Sequence, residues 1–271
     1  NSTILLNYGE SVVYSLYTNS AANEDGILGI NVQSNKDIAL LNGFFLGNIG
    51  TSLNSQDIGI DQPVPTSELG NKYILIKGDG SNQYEQVILV AHENQTQIFV
   101  NGSNTLDTTL NDGEYYLIDG SRFSTNGNLL IESNKTFYCY QHLLGSSTAS
   151  NGDLNFIPPI SCGMPTEIDN LPSVDSIGNT QFSGSVSIIG RTQDTIKIFN
   201  QTNTILLNPG SGNSVTGTVD WRTHTITGLS GSLQIESSGS VACCILGSNA
   251  DAGYAAYFSG FGNNISASFS A

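Results

Sequence analysis

The chain has 271 residues, of which only 11% are charged, and its 23 acidic against 8 basic side chains give a formal charge of −15. Such a balance excludes a clustered basic surface for nucleic acid, and no apolar run reaches the roughly 20 residues of a membrane-spanning helix, so direct membrane insertion is not expected. A hydrophobic content of 38% supports one large β domain or two to three small ones, with polarity supplied by Asn, Ser, Thr and 30 Gly, the residues of turns.

The chain begins at Asn1 without a Met or a basic leader, which reads as a mature fragment of a longer precursor. "LNYG" (6–9) is a turn, because Asn-x-Gly tolerates positive φ where a chain reverses. The arm "NSAANEDG" (19–26) and the segment "VQSNKDIAL" (32–40) follow, then the acidic turn "DIGID" (57–61) and one helical turn in "PTSELG" (65–70). "VILVAHENQTQIFVNG" (87–102) places two apolar runs around a polar turn, the pattern of a β-hairpin. "LNDG" (110–113) is a second turn of the Asn-x-Gly kind, and the adjacent Tyr115 and Tyr116 must face opposite sides of a strand. "IESNKTFYC" (131–139) reads as another hairpin, and the doubled Pro of "FIPPISC" (156–162) forbids a central strand there. Beyond it lie "TQDTIKIFNQ" (192–201), "LNPG" (207–210), the alternating "WRTHTIT" (221–227) and "IESSGSVAC" (235–243). No stretch of eleven residues carries uninterrupted helical periodicity.

These segments repeat. The Asn of the three Leu-Asn-x-Gly turns, Asn7, Asn111 and Asn208, lie 104 and 97 residues apart, and the nine-residue segments start at Val32, Ile131 and Ile235, spaced by 99 and 104. Two landmarks in one order at one period indicate three diverged copies of one unit. The expected fold is therefore all-β, with three antiparallel units in residues 1–86, 87–180 and 181–271, arranged as sandwiches or as a closed pseudo-threefold. The first copy lacks the opening apolar hairpin of the second. Closure would bring the stretch "YAAYFSGFGNNISASFSA" beside the first copy and remove an exposed strand edge.

"LNYGESVVYSLYTN", "IGIDQPVP", "KYILIKGDGSNQYEQVILVAHENQTQIFVNG", "LNFIPPISCGMPTEIDNLP" and "GYAAYFSGF" together resemble the IgGFc-binding-protein N-terminal domain family, in the form seen in large secreted surface proteins of gliding bacteria. The resemblance runs from about residue 4 to 262. It implies an exported, cell-surface module with an adhesive or structural role, and it carries no set of binding residues.

Catalytic patterns are missing from the sequence: there is no Gly-x-Ser-x-Gly elbow and no HExxH, and Glu132 and Glu236 are repeat equivalents on strand faces. The chain reads as non-catalytic. Asp79, Asn82 and Glu85 of "GDGSNQYE" offer hard oxygen ligands for calcium, with a spacing unlike an EF-hand loop. Tyr138, Tyr140 and Trp221 are candidates for stacking on a glycan or protein ligand. Tyr138 and Tyr140 share the face opposite Phe137 and Cys139, so an inward Phe137 leaves them outward. Cys139, Cys162, Cys243 and Cys244 read as small buried hydrophobes. Two functions fit: an extracellular adhesion module binding glycan or protein, or a structural subunit whose copies join by strand addition into a filament or stalk.

Overall fold

The computed structural model describes residues 2–18, 25–47, 57–144, 152–161, 163–250 and 252–259. The strands are β1 (Asn42–Gly47), β2 (Asp57–Asp61), β3 (Lys72–Ile76), β4 (Gln86–Ala91), β5 (Thr96–Val100), β6 (Thr108–Leu110), β7 (Tyr115–Asp119), β8 (Asn128–Ser133), β9 (Phe137–Leu144) and β10 (Gly152–Phe156). Then follow β11 (Glu167–Leu171), β12 (Ser176–Ile177), β13 (Thr180–Gln181), β14 (Ser183–Arg191), β15 (Ile196–Phe199), β16 (Thr204–Leu207), β17 (Asn213–Ser214), β18 (Trp221–Thr227), β19 (Leu233–Ser237), β20 (Val241–Asn249) and β21 (Ala252–Phe258). The all-β expectation holds, every pairing is antiparallel, and "PTSELG" makes a single 3-10 turn at Thr66–Glu68.

Four sheets carry the architecture. Sheet I runs β3-β8-β5-β6, sheet II β10-β9-β4-β7, sheet III β11-β19-β15-β16 and sheet IV β17-β18-β14-β20-β21. Sheets III and IV repeat the order of sheets I and II strand for strand, with β17 added at one edge. Strand pairing thus groups 72–156 and 167–258 as two like sandwiches. β3 and β11, expected within the preceding units, pair into the following ones through β8 and β19. The expected boundary after residue 86 falls inside β4.

The expected hairpins are instead crossings between sheets. β4 lies in sheet II and β5 in sheet I, while β8 lies in sheet I and β9 in sheet II. Ile131 and Phe137, on either side of the Asn134-Lys135 turn, meet in one core from opposite walls. Alternation of period two reads the same for a hairpin and for such an arch, so sequence pattern could not separate them. The turn itself is local: the Lys135 amide donates to Ser133 Oγ at 3.2 Å, and the same bond recurs from Lys36 to Ser34 and from Gly239 to Ser237, both 3.2 Å.

The layers stack in the order II, I, IV, III. Tyr73, Leu75, Leu89, Ile131 and Phe137 fill the space between sheets I and II. Ile188, Ile198, Ile235 and Cys243 fill that between III and IV. Alternate residues of the same strands, including Ile74, Ile76, Leu130, Ala242, Cys244 and Leu246, fill the space between sheets I and IV. Both faces of sheets I and IV are therefore buried, which is why "KYILI" and "VACCIL" read as continuous apolar runs. Loops of the two sandwiches also touch backbone to backbone: a Cβ on Gly102 would lie 2.4 Å from the Gly217 Cα, and both glycines have positive φ.

The described residues before Asn42 form turns and no strand, and β1 with β2 makes a separate two-stranded sheet. β2 lies beside β10, and β10 beside β21. The expected closure with the C-terminal stretch rests largely on residues 260–271, which lie outside the described residues; its described part, β21, pairs with β20 in sheet IV.

Candidate functional site

Two surfaces stand out, and both involve the N-terminal region. The first is a groove of about 390 Å³ where the ends of β2, β10 and β21 converge, lined by Asp61–Pro65 on one side and by Asn155, Phe156, Ala256 and Tyr257 on the other. Asp61 is its ionisable group. Burial pushes its carboxyl above the usual range, while hydrogen bonds from the Phe156 and Gln62 amides pull the other way. The prolines at 63 and 65 remove two backbone donors from this rim and so disfavour its extending a sheet.

The second surface is the run from Ile4 to Leu41. Sixteen of its large hydrophobic side chains are exposed, twice as many as in all later described residues together. Isolated exposed hydrophobes are ordinary, whereas many within one segment is a feature that interaction surfaces share. It meets the folded body where the Tyr115 hydroxyl donates to Asp25 Oδ2 at 2.9 Å and where Gly29 lies against the Gly113 backbone.

The six residues singled out from sequence are not brought together. Phe137 and Cys139 do face the core, yet the opposite face is covered as well, which corrects the expectation that both tyrosines stand in solvent. Tyr140 is only 5% exposed, packed with Leu69, Ile88, Leu154 and Phe156. Its hydroxyl sits beside the Asn42 side chain without a well-formed hydrogen bond. Tyr138 is half-buried, stacked on Tyr140 at 6.4 Å between ring centroids, and its hydroxyl donates to the Val64 carbonyl at 2.9 Å. The pair thus supports the groove from beneath. Trp221 lies elsewhere, buried between sheets I and IV with the Arg191 guanidinium 5.0 Å from its ring centroid.

Asp79 and Asn82 are exposed, whereas Glu85 is fully buried. Asn82 Oδ1 accepts from Lys77 Nζ at 2.6 Å, and the two Glu85 oxygens accept from the Gly80 amide at 3.2 Å and Gln141 Nε2 at 3.3 Å. Among the described residues, no three His, Cys, Asp or Glu side chains cluster as metal ligands would.

Glu85 belongs instead to a buried polar network that sequence reading did not find. Gln141 Nε2 donates to the Ile76 carbonyl at 2.8 Å, the Tyr257 hydroxyl donates to Gln141 Oε1 at 2.9 Å, and the Ile76 amide donates to that hydroxyl at 3.1 Å. The network joins sheets I, II and IV. Its one sequence signal was Gln141, a polar residue inside the otherwise apolar "FYCYQHLL". Cys139, Cys243 and Cys244 are buried and free, and burial pushes the Cys244 thiol up to about 12; Cys162 lies outside the described residues.

No curated protein and no solved structure matches the chain. The family model described as IgGFc binding protein matches residues 1–247, nearly the whole length, and the chain belongs to that family.

Proposed function

We propose that the chain is an extracellular, non-catalytic binding module that engages a polypeptide partner through its N-terminal face. The observation that carries this reading is the exposed apolar run from Ile4 to Leu41 on an otherwise well-packed body. Membership of a family named for binding a protein, and a low-charge surface suited to salty surroundings, support it. The groove beside Asp61, which Tyr138 and Tyr140 support, is the proposed second contact. A glycan ligand, the other partner considered from sequence, gains no support from the aromatic side chains, because Trp221 and Tyr140 are buried.

Biolayer interferometry of the full chain against an immunoglobulin Fc fragment, and against mucin before and after deglycosylation, tests the reading. Leu5→Asp and Val13→Asp, both at exposed positions, are expected to weaken protein binding by roughly tenfold or more if the face holds hot-spot residues. Binding that survives both substitutions, or that disappears only with the glycan, refutes it.

A further inference from the structure

The two landmark turns of the repeat are the same local structure in every copy. Glu10 and Glu114 reach back to the Asn7 and Asn111 amides at 2.8 and 2.7 Å, and Gly9, Gly113 and Gly210 have φ of 82°, 79° and 77°. The Ser34, Ser133 and Ser237 turns share their bond as well. Residues 4–6, 11–15, 29–34 and 38–45 are therefore the counterparts of β6, β7, β8 and β9, and 57–61 of β10.

In the complete sandwich β6 pairs with β5, β7 with β4, and β8 with β3 and β5. Only the pairing of β9 with β10 needs none of β3, β4 or β5. Among the described residues up to 61, no strand is a counterpart of those three. What forms there is the counterpart of β9–β10, the sheet of β1 and β2, while the counterparts of β6, β7 and β8 carry their turns and no ladder. Absence of three strands accounts for each missing pairing. Side chains agree: Tyr14 is 65% exposed where its counterpart Ile118 is 2%, and Ile38 is 51% exposed where Phe137 is 0%.

We infer that residues 2–18, 25–47 and 57–61 belong to the second half of a third sandwich, completed by a three-strand polypeptide segment of the β3–β4–β5 kind. This rests on the reading of the N-terminal face as a protein-binding surface and names its occupant. The donor has the pattern of β3–β4–β5, with its first two strands apolar on both faces. Its middle strand inserts between residues 11–15 and β1, and its last strand lies antiparallel to residues 4–6. The recognition is strand addition, in which backbone hydrogen bonds give affinity and alternate side chains give specificity.

Hydrogen exchange read by mass spectrometry on the full chain tests this, with a synthetic polypeptide of residues 69–107 as the donor mimic. Alone, the amides of 11–17 and 28–41 should exchange at near-unprotected rates while those of 72–156 remain protected. With the mimic present, exchange at 11–15 and 29–34 should slow by about a hundredfold or more, as strand pairing requires. Val12→Asp with Tyr14→Asp should abolish that slowing and leave the protection of 72–156 intact.

Protection of 11–17 and 28–41 in the free monomer would overturn the inference. So would protection that rises with the chain's own concentration, because the occupant would then be a second copy. No binding of the mimic at about a hundred micromolar, far above the affinity a three-strand insertion implies, also overturns it. Binding of the mimic without amide protection overturns strand completion while leaving the protein-binding reading standing. Fc or mucin binding that survives both Leu5→Asp and Val13→Asp sinks that reading independently.

Discussion

Tyr257→Phe removes one oxygen and tests whether the buried network holds the two sandwiches together. The Tyr257 hydroxyl accepts from the Ile76 amide and donates to Gln141 Oε1, so its loss strands one donor in sheet I and one acceptor in sheet II. Gln141 Nε2 keeps the Ile76 carbonyl and Glu85. An unsatisfied buried polar group costs about 1–3 kcal/mol, and two give about 2–4 kcal/mol once some relaxation is allowed. Against a typical stability of about 5–15 kcal/mol that is a large fraction. Burial holds the phenol proton well above its usual range, so the effect should be constant across neutral pH. Guanidinium unfolding followed by fluorescence should show a lower midpoint with an unchanged slope. In a chain of this size Tm should fall by about 5–12 °C. Tyr138→Phe is the control: its single bond reaches a carbonyl near the surface, and its cost should stay below about 1 kcal/mol. If Tyr257→Phe costs no more than Tyr138→Phe, the network does not join the sandwiches, and water satisfies Ile76 and Gln141 in its absence.

Two further outcomes follow from the geometry. Asp61 has a folded pKa raised by burial, so it favours the folded state most below its ordinary value of 3.8, and that contribution is lost as pH rises through the folded pKa. Asp61→Asn, whose single amide oxygen can keep the bond from the Phe156 amide or from the Gln62 amide but not both, should flatten the Tm–pH curve just above pH 4; an unchanged curve contradicts the burial argument. At the contact between the sandwiches, Gly102→Ala and Gly217→Ala each combine positive φ with a close backbone neighbour and should each cost about 2–4 kcal/mol in chemical denaturation. A loss below about 0.5 kcal/mol would mean that the two loops separate freely.

The difference between legible and illegible features follows the range of the interactions. The Leu-Asn-x-Gly turns and the Ser-containing turns were readable because their hydrogen bonds close within three residues, as Glu10 to Asn7 and Lys36 to Ser34 show. The inward side of β9 was readable from alternation, and Phe137 and Cys139 do line the core. The fate of the other side was not. Tyr138 and Tyr140 are covered by residues about 70 to 80 positions earlier in the chain and by Phe156, which no local pattern announces. Glu85 read as a metal ligand because its neighbours are polar, yet its acceptors are filled by Gly80 and by a Gln on another strand.

By itself, the sequence determined the all-β class, the family and a repeated design, since composition, turn chemistry and period-two alternation are properties of short stretches. Only the tertiary structure decided that "IESNKTFYC" and "VILVAHENQTQIFVNG" cross between sheets, because an arch and a hairpin share one alternation and differ only in which strand lies opposite. It likewise decided that sheets I and IV are buried on both faces. That burial depends on one sandwich stacking on the other, and the hydrophobic effect rewards the contact wherever in the chain its two halves come from.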